Sequence, residues 1–122
     1  MSNLTITRAN TILYCQQWQQ TVDFYRTTLG LTIAFENDWF IEFQLSANAF
    51  LSIANQERAS IKSAGGQGIT ITLCVENLEQ TWEHLHRQKA TPAAIKQHAW
   101  GGKAFFIYDP EGHRLEFWSK HF

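Results

Sequence analysis

Short runs of alternating apolar and polar residues dominate the chain, and two stretches of helical period interrupt them. The first eight residues read as an arm or an edge strand, and Asn10 to Cys15 (NTILYC) predicts a strand. From there Trp18, Val22, Tyr25 and Leu29 recur at i, i+4, i+7 and i+11, one apolar face of a helix. Gly30 sits where a left-handed residue would end it. Three strands follow at Thr32–Glu36, Trp39–Leu45 and Phe50–Ala54, with Glu36-Asn37-Asp38 and Ser46-Ala47-Asn48 as polar turns. Asn55 to Gln67 is polar and runs into Gly65-Gly66-Gln67-Gly68, which by composition predicts a flexible linker.

The order then starts again. Ile69 to Val75 predicts a strand, and Asn77 is an N-cap with Gln80 three residues later. Leu78, Trp82, Leu85 and Lys89 mark a second helix, with Trp82 and Leu85 on its buried face. Ala93–His98, Gly102–Tyr108 and Arg114–Trp118 supply three more strands, the last two joined as a hairpin through Asp109-Pro110-Glu111-Gly112. Pro110 has its φ already set, Gly112 accepts a positive φ, and Asp109 can bond back to the loop amides. Strand–helix–strand–strand–strand therefore occurs twice, at an offset of about sixty residues. Leu13 aligns with Leu73, Cys15 with Val75 and Gln20 with Gln80. The expected fold is α+β: one domain, 1–122, built from two βαβββ modules at 1–60 and 61–122.

Composition narrows the function. With 122 residues, 44% hydrophobic and 17% charged, the chain can bury a proper core. Five Trp exceed what a small core needs and favour an aromatic-lined cavity. A net charge of −1 without a basic cluster gives no footing for nucleic acid. No stretch resembles a signal peptide or a membrane span, so a cytoplasmic protein is expected, without a membrane partner. Cys15 and Cys74 lack metal or redox spacing and lie in apolar strand patterns, which predicts buried, reduced thiols. Glu116 stands out, flanked by Leu115 and Phe117 and sharing a strand face with Arg114 and Trp118. It belongs either to a solvated sheet face or to a concave site.

The two βαβββ modules and the ending DPEGHRLEFW resemble the vicinal oxygen chelate superfamily, which groups glyoxalases, bleomycin-resistance proteins and extradiol dioxygenases. Phe24-Tyr25 with Leu29-Gly30 matches that family's FY…LG, and Trp100-Gly101-Gly102 matches the stretch before its last hairpin. The resemblance implies curved mixed sheets that cup a ligand cavity, helices outside, and a homodimer whose modules pair within or between chains. It also implies a divalent metal held by His and Glu from the first and last strand of each module. Carried onto this sequence, those positions fall on Asn10, Ser52, Thr70 and Glu116. Only Glu116 is a strong ligand, whereas a catalytic metal needs about three imidazole, carboxylate or thiolate donors. No metal and no cofactor are therefore expected. Among the histidines, His84, His86, His113 and His121 read as solvated, with His113 exposed after its turn. His98 shares parity with Lys96 and Trp100 and is a rim residue for ligand binding or proton transfer.

If Glu116 faces inward, so do Arg114 and Trp118, and the resemblance adds Phe106 and Tyr108 from the neighbouring strand. Module one contributes Phe40, Glu42 and Ser52, and the first strands add Asn10, Tyr14 and Thr70. Trp18, Trp39 and Trp82 are expected in the core. For Phe40, Trp100, Phe106, Tyr108 and Trp118 the core and the cavity wall both remain open, and Glu42 with Arg114 could be a structural ion pair. Two acids among flat aromatic walls suit a planar or cationic small molecule, since a buried acid is costly unless paired. The expected function is non-enzymatic binding of such a ligand, a drug-sequestering role like that of bleomycin-resistance proteins. The alternatives are a glyoxalase- or dioxygenase-type lyase or isomerase, metal-dependent or using Glu116 as general base with Tyr108 or His98 as acid, and a closed cup that serves oligomerisation.

Overall fold

In the computed structural model, which describes residues 3–120, each period-2 run becomes a strand and each helical run packs on one face of the resulting sheet. The chain divides between Ala64 and Gly65 into two compact units. In the first, β1 (Ala9–Cys15) leads through α1 (Trp18–Asp23) to β2 (Thr32–Glu36), β3 (Phe40–Ser46) and β4 (Ala49–Asn55). The sheet order is β1-β4-β3-β2, with β1 parallel to β4 and the other pairs antiparallel. In the second, β5 (Thr70–Cys74) and α2 (Leu78–Arg87) precede β6 (Lys96–Gln97), β7 (Lys103–Tyr108) and β8 (Arg114–Ser119), ordered β5-β8-β7-β6 with β5 parallel to β8. The α+β class and the duplicated βαβββ order are as the sequence predicts. Among the described residues no helix is long and apolar enough to cross a membrane.

Alternation sets the two cores. Leu13, Cys15, Ile41, Phe43, Leu51 and Ile53 are buried on the α1 side of the first sheet. Leu115, Phe117, Phe105 and Ile107 are buried in the second, where Leu78 and Leu85 of α2 are buried as well and Phe105 stacks on Phe117 at 5.4 Å. The first helix departs from the simple period. After Asp23 it continues as a π-helical turn, Phe24–Thr28, in which the Leu29 amide donates to the Phe24 carbonyl at 3.0 Å. Both Phe24 and Tyr25 of that turn are buried. Gly30 then takes φ +70° and ends the helix. Asn77 caps α2 through its Oδ1, which accepts the Gln80 amide at 3.0 Å, and α2 stops before Lys89.

Other expectations are corrected. Residues 3–8 form no strand, so of the two readings only an arm survives there. The strand predicted over Ala93–His98 shrinks to the two residues of β6. The polar stretch after β4 is knitted by its own side chains: Asn55 Oδ1 accepts the Glu57 amide, and Lys62 Nζ donates to the Gln56 and Ala59 carbonyls at 2.7 and 2.9 Å. It ends with Gly66 so close to Gly112 that a Cβ on Gly66 would run into the Gly112 carbonyl. None of the five Trp belongs to the buried core. Trp18, Trp39 and Trp82 are half-buried, with the indole N–H of Trp18 on the Ile53 carbonyl (3.0 Å) and that of Trp82 on the Ala93 carbonyl (2.8 Å). An indole keeps its polar edge near a partner more easily at the periphery. Cys15 is buried, but Cys74 is exposed, because it shares parity with Thr70 and Thr72 on the sheet face away from α2.

His113 is not exposed. Asp109 and His113 are both buried, and Asp109 Oδ1 accepts the amides of Glu111, Gly112 and His113 at 2.9–3.0 Å. Its Oδ2 accepts a hydrogen bond from His113 Nδ1–H at 2.8 Å. The carboxylate thus serves as common acceptor for the turn, and gives the buried His113 amide its partner. His121 lies outside the described residues.

Candidate functional site

Strand register decides which side chains leave each sheet on the face opposite its helix. In the first unit Asn10, Ile12 and Tyr14 of β1 share that face with Phe50 and Ser52 of β4 and Phe40, Glu42 and Gln44 of β3. Its polar groups satisfy one another. Ser52 Oγ donates to Asn10 Oδ1 at 2.9 Å. Glu42 pairs with Arg8 at 3.1 Å, and the Arg8 guanidinium lies 3.8 Å from the centre of the Phe50 ring. Within its own unit the partner of Glu42 is therefore Arg8. Nothing in the alternation marks Arg8, which stands in a segment without period. Phe40 meets Trp39 edge-on at 5.6 Å, and Tyr14 is half-buried opposite Ala54.

In the second unit Thr70, Thr72 and Cys74 share the corresponding face with Arg114, Glu116 and Trp118 of β8 and Ala104, Phe106 and Tyr108 of β7. The loop from His98 to Gly102 closes over it, through the His98 amide on the Gly102 carbonyl (2.8 Å) and the Gly101 amide on the His98 carbonyl (3.0 Å). That loop carries Trp100 edge-on to Trp118 at 5.7 Å, with the His98 ring stacked on Trp100 at 5.5 Å. The ring of Trp100 occupies the space a Cβ on Gly102 would need, so glycine at 102 is what lets the indole lie down.

Glu116 sits at the centre of this arrangement. With Trp100, Trp118 and Thr72 it lines a cleft of about 280 Å³. With Phe106, Arg114, His98 and Lys96 it lines a second of about 300 Å³. Glu116 is half-buried and makes no hydrogen bond or ion pair among the described residues. Arg114 is turned elsewhere: its Nε donates to Thr70 Oγ1 at 3.0 Å and its guanidinium lies 5.4 Å from the centre of the Phe106 ring. Trp100 and Tyr108 are more than half exposed, and Phe106 and Trp118 half-buried, so all four lie outside the core, and Trp100, Phe106 and Trp118 line these clefts. The sequence pattern thus collects eight of its proposed site residues on this unit and five on the first; Thr72, which alternation also puts on this face, and Lys96, which shares parity with His98, line the clefts as well.

The donor set does not fit a divalent metal. Asn10 and Ser52 are hydrogen-bonded to each other, and Thr70 accepts from a guanidinium whose positive charge would oppose a cation. Glu116 is the lone anionic donor of the four implied positions. Among the described residues no group of three or more His, Cys, Asp or Glu side chains could hold an ion.

The model of the Glyoxalase/Bleomycin resistance protein/Dioxygenase superfamily matches residues 7–117. The chain belongs to that superfamily. Solved structures agree in fold. A glyoxalase/bleomycin resistance protein/dioxygenase from Nocardioides is 18% identical, with a TM-score of 0.77 over 98% of this chain and 85% of its own. A lactoylglutathione lyase from Agrobacterium tumefaciens is 17% identical, with a TM-score of 0.77 over 98% and 96%. An integron cassette protein from the mobile metagenome of V. cholerae is 15% identical, with a TM-score of 0.75 over 98% of both chains. At such identities the likeness is one of fold. No curated protein matches the chain.

Proposed function

We propose that this superfamily member binds a flat, positively charged small molecule without converting it, a drug-sequestering and antibiotic-resistance role of the bleomycin-resistance kind. The observation that carries this reading is Glu116, a half-buried carboxylate without a partner among the described residues, set beside two indole rings. A cationic group against it gains a charge-assisted hydrogen bond, worth about 1.5–3 kcal/mol, and the rings of Trp100 and Trp118 add stacking and cation–π attraction. The implied metal positions support the same reading, since three of the four are neutral and already engaged or set beside a cation. Two free thiols, one of them exposed, fit a reducing cytoplasm. β1 and β5 end their sheets, which favours a homodimer because sheet edges invite pairing.

Calorimetry with a panel of planar aromatic cations and peptide-like antibiotics, each beside a neutral isostere, tests the proposal. Charged members should bind at least about tenfold tighter than their isosteres, and Glu116→Gln should erase that difference. Equal binding of charged and neutral members would overturn it. One observation favours a second reading: His98 lines the same cleft as Glu116, an acid–base pair suited to a metal-free lyase or isomerase. Mass spectrometry of bound ligand after prolonged incubation separates the two, because sequestration returns the ligand unchanged.

A further inference from the structure

A hollow of about 330 Å³ lies where β5 and β8 begin, lined by Gly66, Gly68, Ile69, Thr70, Tyr108, Gly112 and Arg114. No acidic side chain lines it. Its cationic wall is Arg114, whose Nε is committed to Thr70 while its terminal nitrogens have no carboxylate partner among the described residues. The rest of its wall is the main chain of Gly66, Gly68 and Gly112 with Ile69 and Tyr108 beside it. Gly66 and Gly68 take φ of +82° and +76°, and Gln67 between them has negative φ. Alternating φ signs along successive residues are the backbone pattern from which anion-binding nests are built. The amides of Gln67 and Gly68 make no hydrogen bond within the described residues. The nest is held in place because Gly66 rests against the Gly112 backbone of the hairpin turn.

The geometry points to an anion subsite here, a carboxylate or phosphate held between the Arg114 guanidinium and the Gly66–Gly68 main chain. Arg114 and Glu116 leave the same face of β8 two residues apart, about 6.5–7 Å along the strand. Resting on the reading of Glu116 given above, the ligand is therefore bipolar: a flat body with a cationic end at Glu116 and an acidic group at Arg114. Fork geometry and preformed amides favour oxyanions with two or more oxygens over a halide.

The test uses the full chain and two kinds of probe. Titration with inorganic phosphate, followed by amide NMR, should shift Gly66, Gln67 and Gly68 saturably. The affinity should fall about tenfold in Arg114→Gln, fall less in Arg114→Lys, and hold in Glu116→Gln. Absence of saturable shifts in the natural protein up to about 50 mM phosphate would overturn the subsite, whether or not any variant folds. An undiminished response in Arg114→Gln would overturn it equally. Benzamidine and 4-carboxybenzamidine then distinguish a ligand's own acid from a free anion. The carboxylated probe should bind about tenfold tighter, and Arg114→Gln should remove that advantage. Equal binding of the two would leave a free-anion site and overturn the bipolar ligand. If Glu116→Gln leaves benzamidine binding unchanged while phosphate still shifts the loop, the Glu116 reading fails and the subsite stands.

Discussion

Glu42 and Glu116 both leave their sheets on the face away from the helix, yet only one is available to a ligand. Glu42 is held by Arg8, which in turn covers Phe50. Glu116 carries its charge part-way into an aromatic wall with no internal partner among the described residues. The two acids should respond oppositely to neutralisation. Glu42→Gln should cost up to about 1 kcal/mol, a modest figure because Arg8 is half exposed and the pair is screened by solvent. Glu116→Gln should leave stability unchanged or raise it slightly, because the unpaired charge is lost with no bond broken. Urea unfolding of both variants checks this, and a clear destabilisation by Glu116→Gln would mean that the carboxylate is structural. Gly102 offers a sharper probe of the wall. A methyl there displaces the Trp100 ring, so Gly102→Ala should keep the fold, change tryptophan fluorescence, and weaken aromatic ligands about tenfold.

The β7–β8 hairpin shows what a strand pattern reveals and what it hides. Alternation alone placed Arg114, Glu116 and Trp118 on one face and Leu115 and Phe117 on the other, and the register agrees. Tight-turn chemistry placed Asp109 against the loop amides, and three of them do bond to it. The burial of His113 left no such trace, because a polar residue after a turn reads as solvated until its partner is known. That partner is Asp109, four residues back, and the pair sits beneath the turn. Asp109→Ala would remove the acceptor shared by three amides and the imidazole, with the Gly112 amide keeping the carbonyl of residue 109. With about 1–3 kcal/mol for each buried group left unpaired and partial rescue by water, a loss of about 3 kcal/mol is expected, lowering the thermal midpoint by about 10 °C or more. Asp109→Asn should fall between Ala and the natural residue, since its carbonyl oxygen can still accept the amides. A midpoint unchanged in Asp109→Ala would show that the turn does not depend on its carboxylate.

Duplication explains most of what the sequence made legible across the chain, and divergence between the copies explains the rest. The offset that aligns Leu13 with Leu73 also aligns Tyr14 with Cys74, so the copy itself puts Cys74 on the open face; its apolar neighbours suggested otherwise. The same offset brings Asn10 to Thr70, while Ser52 meets Glu116 only through the strand register, with Ile12 opposite Ser52 and Thr72 opposite Glu116. What no alignment could supply was the bonding between those positions. In the first unit Ser52 donates to Asn10, while in the second Thr70 is taken by Arg114 and Glu116 is left unpaired. A cation at the first unit's positions would have to break the Ser52–Asn10 hydrogen bond, and one at the second unit's positions would approach a guanidinium with Glu116 as its only carboxylate. Tight metal binding stabilises the folded state in proportion to ligand saturation, about 4 kcal/mol at a thousandfold excess over Kd, which would be plain in a thermal scan. The protein should therefore show the same midpoint and the same affinity for aromatic cations before and after exhaustive chelation. Millimolar zinc, nickel or manganese should move the midpoint by no more than about 1 °C. A rise of several degrees that saturates at one ion per chain, and that Glu116→Gln abolishes, would place a metal at Glu116 and return the chain to the metal-dependent members of its superfamily.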